Sequence, residues 1–330
     1  GSEMCIRDRP YALSYLNIYG KGTLFVMLTM GLNSFINTQG FSKVGMKTVL
    51  IGAVCNIILD PVFIFVFGMG VQGAALATVI SQAISAVWVI LLLTGKQTKL
   101  KIKTKYFKPK ASVLLPVCAL GVSPFIMNAT ESAINIAFNA SLSRYGGDVA
   151  VGAMTILSSI MQLQFMPVQG IAQGAQPIMS FNYGAKKMDR VKKAYRLLMI
   201  CSFTYTMIFC LAVEIAPGFF VHLFNSSSQE LFEMTKWALR IYMAATGVFG
   251  IQLAVQQVFM ALGQAKISLF IACLRKIILL IPLIYILPHF FADKVFAVFF
   301  AEPVSDFISV TVAATLFFLN IKKILKEGEV

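Results

Sequence analysis

A row of polar side chains interrupts one of the apolar stretches of the chain. Its members follow one another at steps of three and four residues, which places them on one face of a helix. They are Asn128, Glu131, Asn135 and Asn139. A carboxylate and amide oxygens could bind a proton or a hard cation such as Na⁺ in the membrane. The alternative is a hydrogen-bonded seam between packed helices.

A second polar row follows in the next apolar stretch. Its steps of four, three, four and three residues again select one face of a helix. The row consists of Gln162, Met166, Gln169, Gln173 and Gln176. Methionine adapts its shape, and glutamine offers hydrogen bonds, so this face suits varied amphipathic ligands. We predict that it lines a substrate cavity, and a packing seam with interhelical hydrogen bonds is the alternative.

Five charged residues interrupt other apolar runs, namely Asp60, Arg275, Lys276, Glu302 and Asp306. Arg275 and Asp306 each lie roughly 15 Å from a predicted helix end, counted at the rise of an α-helix. Uncompensated charges at that depth are costly, so we expect the Arg275 region to pair with Glu302 or Asp306. Such a pair is either a fixed structural element or part of a proton relay. Asp60 precedes Pro61 and is predicted to cap backbone groups that the proline frees.

The composition that surrounds these residues is that of a membrane protein. Hydrophobic residues make up 58% of the 330 residues, charged residues only 13%, and mean hydropathy is +0.79. A soluble domain carries roughly 25% charged residues. The net charge of +14 is spread over short clusters between apolar runs, which is typical of membrane topology and argues against a nucleic-acid partner.

The apolar runs predict an all-α polytopic fold with nine transmembrane helices. A polar-aromatic loop over residues 11–22 is predicted to precede them, and residues 1–9 are interpreted as a non-native tail without helix. The predicted helices cover residues 23–39, 45–67, 72–94, 112–142, 149–180, 192–214, 230–261, 266–288 and 295–320.

Part of the chain is repeated. Residues 40–43, 56–59 and 77–85 match residues 263–266, 276–279 and 301–309 in the same order, at an offset of about 220 residues. An even number of predicted helices separates the copies, so the two copies run parallel across the membrane. The second copy belongs to a six-helix lobe, whereas only three helices stand in the first. We therefore expect three further helices to precede this sequence in a twelve-helix protein.

Polar positions are shared by both copies. Thr29 and Asn33 correspond to Gln252 and Gln256, and Asn37 follows on the same predicted helix face. Matching polar positions in two lobes predict that Asn33, Asn37, Gln252 and Gln256 contribute to a common substrate cavity. Helix packing is the alternative.

Basic residues concentrate in every second connection, most densely over residues 96–110 and 186–196. The positive-inside rule assigns these connections and the C-terminus to the cytoplasm of a plasma membrane. The predicted organisation is a three-helix part of the first lobe (10–95), a basic cytoplasmic linker (96–111), a six-helix lobe (112–320) and a cytoplasmic tail (321–330).

Two groups of short motifs carry a family resemblance. Residues 56–61 (NIILDP) and 70–78 (GVQGAALAT) resemble the fifth and sixth helices of the MATE (multidrug and toxic compound extrusion) family. Residues 167–170, 174–177 and 182–185 (PVQG, GAQP and NYGA) resemble its eighth helix and the loop that follows. The resemblance runs from residue 11 to about residue 325, and the pattern is nearest to the bacterial branch of MepA-like and DinF-like proteins.

The resemblance implies two six-helix lobes around a central cavity, and export of organic, often cationic, compounds in exchange for Na⁺ or H⁺. Glu131 lies ten residues after Gly121, where family members with a seventh-helix glutamate carry it. The chain departs from the family pattern in lacking a counterpart of the first-helix aspartate that serves cation coupling.

These observations predict an antiporter for small amphipathic or cationic substrates, embedded as a monomer in the lipid bilayer. No cofactor, catalytic residue or metal site is expected. A lipid-linked saccharide flippase and an inactive fragment are the alternatives. An intramembrane enzyme is disfavoured because His222 and His289, the two histidines, are far apart in sequence. No nucleotide-binding motif occurs, so nucleotide-driven transport is not supported.

Overall fold

A computed structural model of the chain describes residues 2–95, 98, 101–102, 110–224 and 228–329, and every element in these residues is helical. The α-helices are α1 (Ser2–Thr38), α2 (Ser42–Pro61), α3 (Gly70–Thr94), α4 (Ala111–Gly184), α5 (Met188–Ile215), α6 (Pro217–His222), α7 (Gln229–Tyr242), α8 (Thr246–Ala261), α9 (Ala265–Cys273), α10 (Ile281–Ile286) and α11 (Lys294–Glu329). Two π-helical segments (Val62–Val66 and Leu274–Leu280) and a 3₁₀ turn (Leu287–His289) connect some of them.

The chain is a polytopic all-α membrane protein. Among the described residues, six helices are long and apolar enough to cross a membrane, and the bent pair α7 and α8 gives up to seven spans. The backbone of Gly147 divides α4, because its φ of 65° and ψ of −163° are not helical and a positive φ suits glycine. The two arms on either side correspond to the predicted helices 112–142 and 149–180.

The start of α1 differs from the prediction. The loop predicted over residues 11–22 is wrong, because α1 is helical from Ser2 to Thr38, which also contradicts the prediction of no helix over residues 1–9. Packing against α3 accounts for part of this extension. A Cβ added at Gly22 would stand only 2.4 Å from Cγ2 of Val79, so the two backbones approach closely. Residues 11–22 are therefore helical despite their polar and aromatic composition, and this helix packs on α3.

The chain divides into two compact units, Gly1–Ala111 and Ser112–Val330. The first contains a small core formed by Ile36, Val89 and Leu93. The second contains two larger buried clusters, one around Phe138, Leu157 and Phe299, the other around Met179, Phe259 and Phe317. The basic linker predicted over residues 96–111 lies largely outside the described residues.

A π-helical segment lies within the second unit between α9 and α10. It spans Leu274–Leu280 and contains Arg275 and Lys276. Such widened turns are rare and are frequently found at functional sites. This segment positions both basic side chains of the site described next.

Candidate functional site

Arg275 joins the π-helical segment to α11 through two charged hydrogen bonds. Its Nη2 donates to Oε1 of Glu302 and its Nε donates to Oδ1 of Asp306, both at 2.6 Å. Glu302 and Asp306 are one helical turn apart on α11, so they present their carboxylates on one face. The ion pair predicted from the depths of these residues is present, with both acids engaged by one guanidinium.

The triad is buried beside an aromatic ring and makes one further hydrogen bond. Arg275, Glu302 and Asp306 are all buried, and the guanidinium carbon of Arg275 lies 4.2 Å from the centre of the Phe249 ring. Ser305 donates a hydrogen bond of 2.8 Å to the carbonyl oxygen of Arg275. Arginine suits this position because its planar donors can serve two acceptors and an aromatic face at once.

The triad is not fully satisfied. Oε2 of Glu302 and Oδ2 of Asp306 are buried and have no hydrogen-bond partner among the described residues. Two carboxylates face a single guanidinium, so the triad carries excess negative charge when both acids are ionised. Buried charges that are incompletely paired are costly, so the stability of this cluster depends on the two hydrogen bonds that Arg275 donates.

Lys276 takes a different partner from its neighbour. Its ammonium group forms an ion pair with Oε1 of Glu131 on α4. The Lys276 side chain is 13% exposed and the Glu131 side chain 55% exposed, so the carboxylate lies at the open end of the pair. Lys276 was expected near the acids of α11, but its ion-pair partner is Glu131 of α4.

The asparagines around Glu131 have separate positions. Asn135 lines the same cavity as Glu131, whereas Asn139 is exposed further along α4. The side chain of Asn128 lies outside the described residues. Within those residues the hydrogen-bond partner of Glu131 is Lys276, rather than one of the predicted asparagines.

A cavity of about 400 Å³ brings the two polar rows and the charges together. It lies within the second unit between α4, α7, the π-helical segment and α11. The lining residues are Glu131, Ile134, Asn135, Met154, Ser158, Met161, Gln162, Phe165, Met166, Gln169, Tyr242, Arg275, Leu280 and Glu302. Its size falls in the range of roughly 300–1,000 Å³ that small-molecule sites occupy.

Some of these lining residues were missed by sequence reasoning. Met154, Ser158, Met161 and Phe165 lie on α4 at steps of three and four residues, so they extend the face of Gln162 towards Gly147. The periodicity was available in the sequence, but apolar members of a row are not distinguishable from ordinary packing residues. Tyr242 comes from α7, and no spacing within α4 could have identified it.

A smaller cavity of about 210 Å³ continues the row of glutamines. Gln169 lines both cavities, and further lining residues of the smaller one include Gln173, Gln256 and Gln257. Nε2 of Gln257 donates to Oε1 of Gln176 at 3.4 Å. The predicted row therefore lies on one side of α4, but its members have different surroundings. Some line the larger cavity, some line the smaller one, and Gln176 contacts α8.

Gln252 is placed differently from Gln256. It is buried, and its Oε1 accepts a hydrogen bond of 2.5 Å from Ser309 of α11. This contact ties α8 to the polar face of α11 that carries Asp306. The structure thus assigns Gln252 a packing contact next to the charged triad.

The polar residues of the first unit lie between its own helices. Nδ2 of Asn33 donates to the carbonyl oxygen of Gly45 at 3.3 Å, and a Cβ added at Gly45 would stand 2.1 Å from Oδ1 of Asn37. Both asparagines therefore contact α2. Asp60 accepts a hydrogen bond of 3.1 Å from Asn56 one turn earlier, a side-chain partner in place of the predicted backbone groups.

The sequence of this chain is similar to those of known membrane transporters. A family model described as MatE matches residues 124–286, which include Glu131, the cavity face of α4, Arg275 and Lys276. The chain is 25% identical to the multidrug export protein MepA of Staphylococcus haemolyticus strain JCSC1435 over 308 residues, or 93% of this chain. Over residues 124–286 the chain is similar to the MATE family. The predicted family and its MepA-like branch are confirmed.

Other MATE proteins match at similar levels. MepA of Staphylococcus aureus strain NCTC 8325 is 27% identical over 278 residues, or 84% of this chain. A solved MATE family transporter of the MOP superfamily, in an outward-facing conformation, superimposes with a TM-score of 0.88 at 21% identity, covering 95% of this chain and 70% of that one. The matched regions make up 67% and 61% of the two MepA proteins, so the chain spans about two thirds of their length.

Proposed function

We propose that this chain acts in a secondary active transporter that exports drugs or organic cations in exchange for Na⁺ or H⁺. The observation that carries the proposal is the cavity of about 400 Å³, which combines an accessible carboxylate with adaptable apolar walls. The names of the MepA relatives as multidrug export proteins support the same function.

The cavity walls fit amphipathic cations of different shapes. Met161, Phe165 and Met166 offer apolar and polarisable surface, and Gln162 and Gln169 offer hydrogen bonds in both directions. A site of this kind accommodates several ligands because methionine adapts to their shape. The negative charge of Glu131 then favours cationic ligands over anionic ones.

Glu131 is the residue that we assign to ion coupling. Its side chain is 55% exposed at the cavity, so a proton, a Na⁺ ion or a substrate cation can reach the same carboxylate. Exchange of these occupants links export to the ion gradient. Asn135 lines the same cavity and can supply an amide oxygen. No cofactor is required by this scheme.

The proposed setting is a bacterial plasma membrane with the basic connections and the C-terminus in the cytoplasm. The distribution of lysine and arginine supports this orientation. We propose that the protein works as a monomer surrounded by lipid, with no nucleic-acid partner.

A flippase for lipid-linked saccharides is less well supported by the site. A cavity for anionic headgroups needs accessible basic side chains. Here the guanidinium of Arg275 is bound by Glu302 and Asp306, and the ammonium of Lys276 by Glu131. Both basic residues near the cavity are therefore paired with acids. An inactive fragment remains the other alternative, and transport by the full genomic reading frame distinguishes it.

The test is gradient-driven efflux of a fluorescent lipophilic cation from preloaded bacterial cells that express the full reading frame. Glu131→Gln should abolish efflux driven by Na⁺ or H⁺ at unchanged expression, and Glu131→Asp should retain part of it. Glu230→Gln removes an exposed carboxylate on α7 and is the matched control. If Glu131→Gln exports as well as the control between pH 6 and 8, with and without Na⁺, coupling does not reside at Glu131.

A further inference from the structure

Adjacent basic residues on the π-helical segment have unequal partners. Arg275 is held by two buried acids, whereas Lys276 is held by one acid whose side chain is largely open to the cavity. The accessible carboxylate of the proposed substrate site is therefore already occupied by a cation that belongs to the protein.

We propose that the Lys276 ammonium is a tethered counter-ion of Glu131 that an incoming organic cation has to displace. This inference rests on the proposed function and adds a specificity-determining residue to it. A cation binds the Glu131 carboxylate only if it interacts with it more favourably than the Lys276 ammonium does. Lys276 does not affect the binding of neutral ligands in the apolar part of the cavity.

The chemistry of the two side chains suits exchange. Lysine carries a compact charge on a flexible four-carbon chain and does not form the bidentate contact of arginine, so its contact with a carboxylate is the easier one to replace. Because Glu131 is the more exposed partner, a second cation can approach its carboxylate before Lys276 leaves.

Exchange also avoids an unpaired carboxylate. A lone carboxylate within a membrane span is penalised. With Lys276 in place, Glu131 stays neutralised whenever substrate is absent. The Arg275 triad cannot serve this purpose, since two carboxylates hold its guanidinium at once and all three residues are almost fully buried.

The experiment measures binding of tetraphenylphosphonium to the purified chain in lipid nanodiscs, with triphenylphosphine oxide as the neutral probe. Lys276→Met should tighten tetraphenylphosphonium binding about fivefold, at the upper end of what solvent-accessible ion pairs contribute. Lys276→Arg should bind no more tightly than the wild type. The affinity for triphenylphosphine oxide should be the same in all of these proteins.

A double-mutant cycle separates displacement from general electrostatics. In a Glu131→Gln background, Lys276→Met should give no gain, because the carboxylate that the ammonium blocks is no longer there. An equal gain in both backgrounds would overturn the inference. Lys276→Gln, which retains a hydrogen-bond donor and is neutral, provides the same comparison if Lys276→Met does not fold.

The outcomes also distinguish this inference from the function on which it rests. Wild-type binding of both probes with no tightening in Lys276→Met overturns the role of Lys276 and leaves the proposed function standing. Failure of the wild type and every variant to bind either probe overturns the proposed function, and the inference with it.

Discussion

Replacement of Arg275 by methionine tests whether the buried triad holds the second unit together. Methionine keeps much of the length of the side chain but removes its charge and all of its donors. Glu302 and Asp306 would then lose the hydrogen bonds of 2.6 Å that Arg275 gives them. Their remaining oxygens, Oε2 and Oδ2, already have no partner among the described residues, so both carboxylates would be buried without compensation.

The expected loss of stability follows from these contacts. Hydrogen bonds to charged groups contribute about 1.5–3 kcal/mol each, and Arg275 makes two of them. Breaking a buried pair by removing one partner costs about 3–5 kcal/mol, in agreement with that sum. For a folding unit of the size of Ser112–Val330, this corresponds to a fall in the midpoint of thermal unfolding of about 10 °C.

The assay is thermal unfolding of the purified protein in detergent, followed by loss of the monodisperse species. Arg196→Met is the matched control, because Arg196 is exposed on α5 and surface charges contribute about 0–1 kcal/mol. Arg275→Met should unfold at a clearly lower temperature than this control.

A compensated variant completes the test. Arg275→Met combined with Glu302→Gln and Asp306→Asn removes the uncompensated charges, and it should recover most of the lost stability, since neutral replacements of buried ion pairs are often tolerated. The reasoning is refuted if Arg275→Met unfolds at the same temperature as Arg196→Met, or if neutralising both acids lowers stability further.

Two further predictions concern packing and orientation. Gly250→Ala should destabilise the contact between α8 and α5 by about 1–3 kcal/mol, because its Cβ would stand 2.7 Å from the carbonyl oxygen of Ser202. Gly170→Ala, which meets nothing within 4 Å, is the control in the same thermal assay, and equal midpoints would contradict the prediction. In a cysteine-free background, an impermeant thiol reagent added to intact cells should label Asp148→Cys and not Lys110→Cys, and the reverse pattern would invert the proposed topology.

The sequence was sufficient for the helical architecture and for the faces of individual helices. Apolar runs of about 20 residues predict spans because backbone groups in lipid have to be satisfied within the segment. Steps of three and four residues fix which side chains share a face, which is why Gln162 and Gln169 were correctly placed together. The cost of unpaired charges in a membrane was enough to predict that Arg275 meets Glu302 and Asp306.

The extension of α1 and the division of the glutamine row needed the tertiary structure. The helix over residues 11–22 is accompanied by close packing on α3 near Gly22 and Val79, and contact between distant segments is not encoded in local composition. Gln162 and Gln169 line the larger cavity together with Tyr242 of α7 and Glu302 of α11. Gln169 and Gln173 line the smaller one together with residues of α8. Periodicity gives a face, but it does not say which helix lies against it.

The assignment of partners among the charges was also decided by the fold. In the sequence Lys276 is next to Arg275, and both could serve the acids of α11. The π-helical segment Leu274–Leu280 widens the helix at this point, and both Glu131 of α4 and the acids of α11 lie within reach of it. Arg275 therefore meets Glu302 and Asp306, and Lys276 meets Glu131, because the directions of adjacent side chains depend on the local helix geometry and on which neighbours the packing provides.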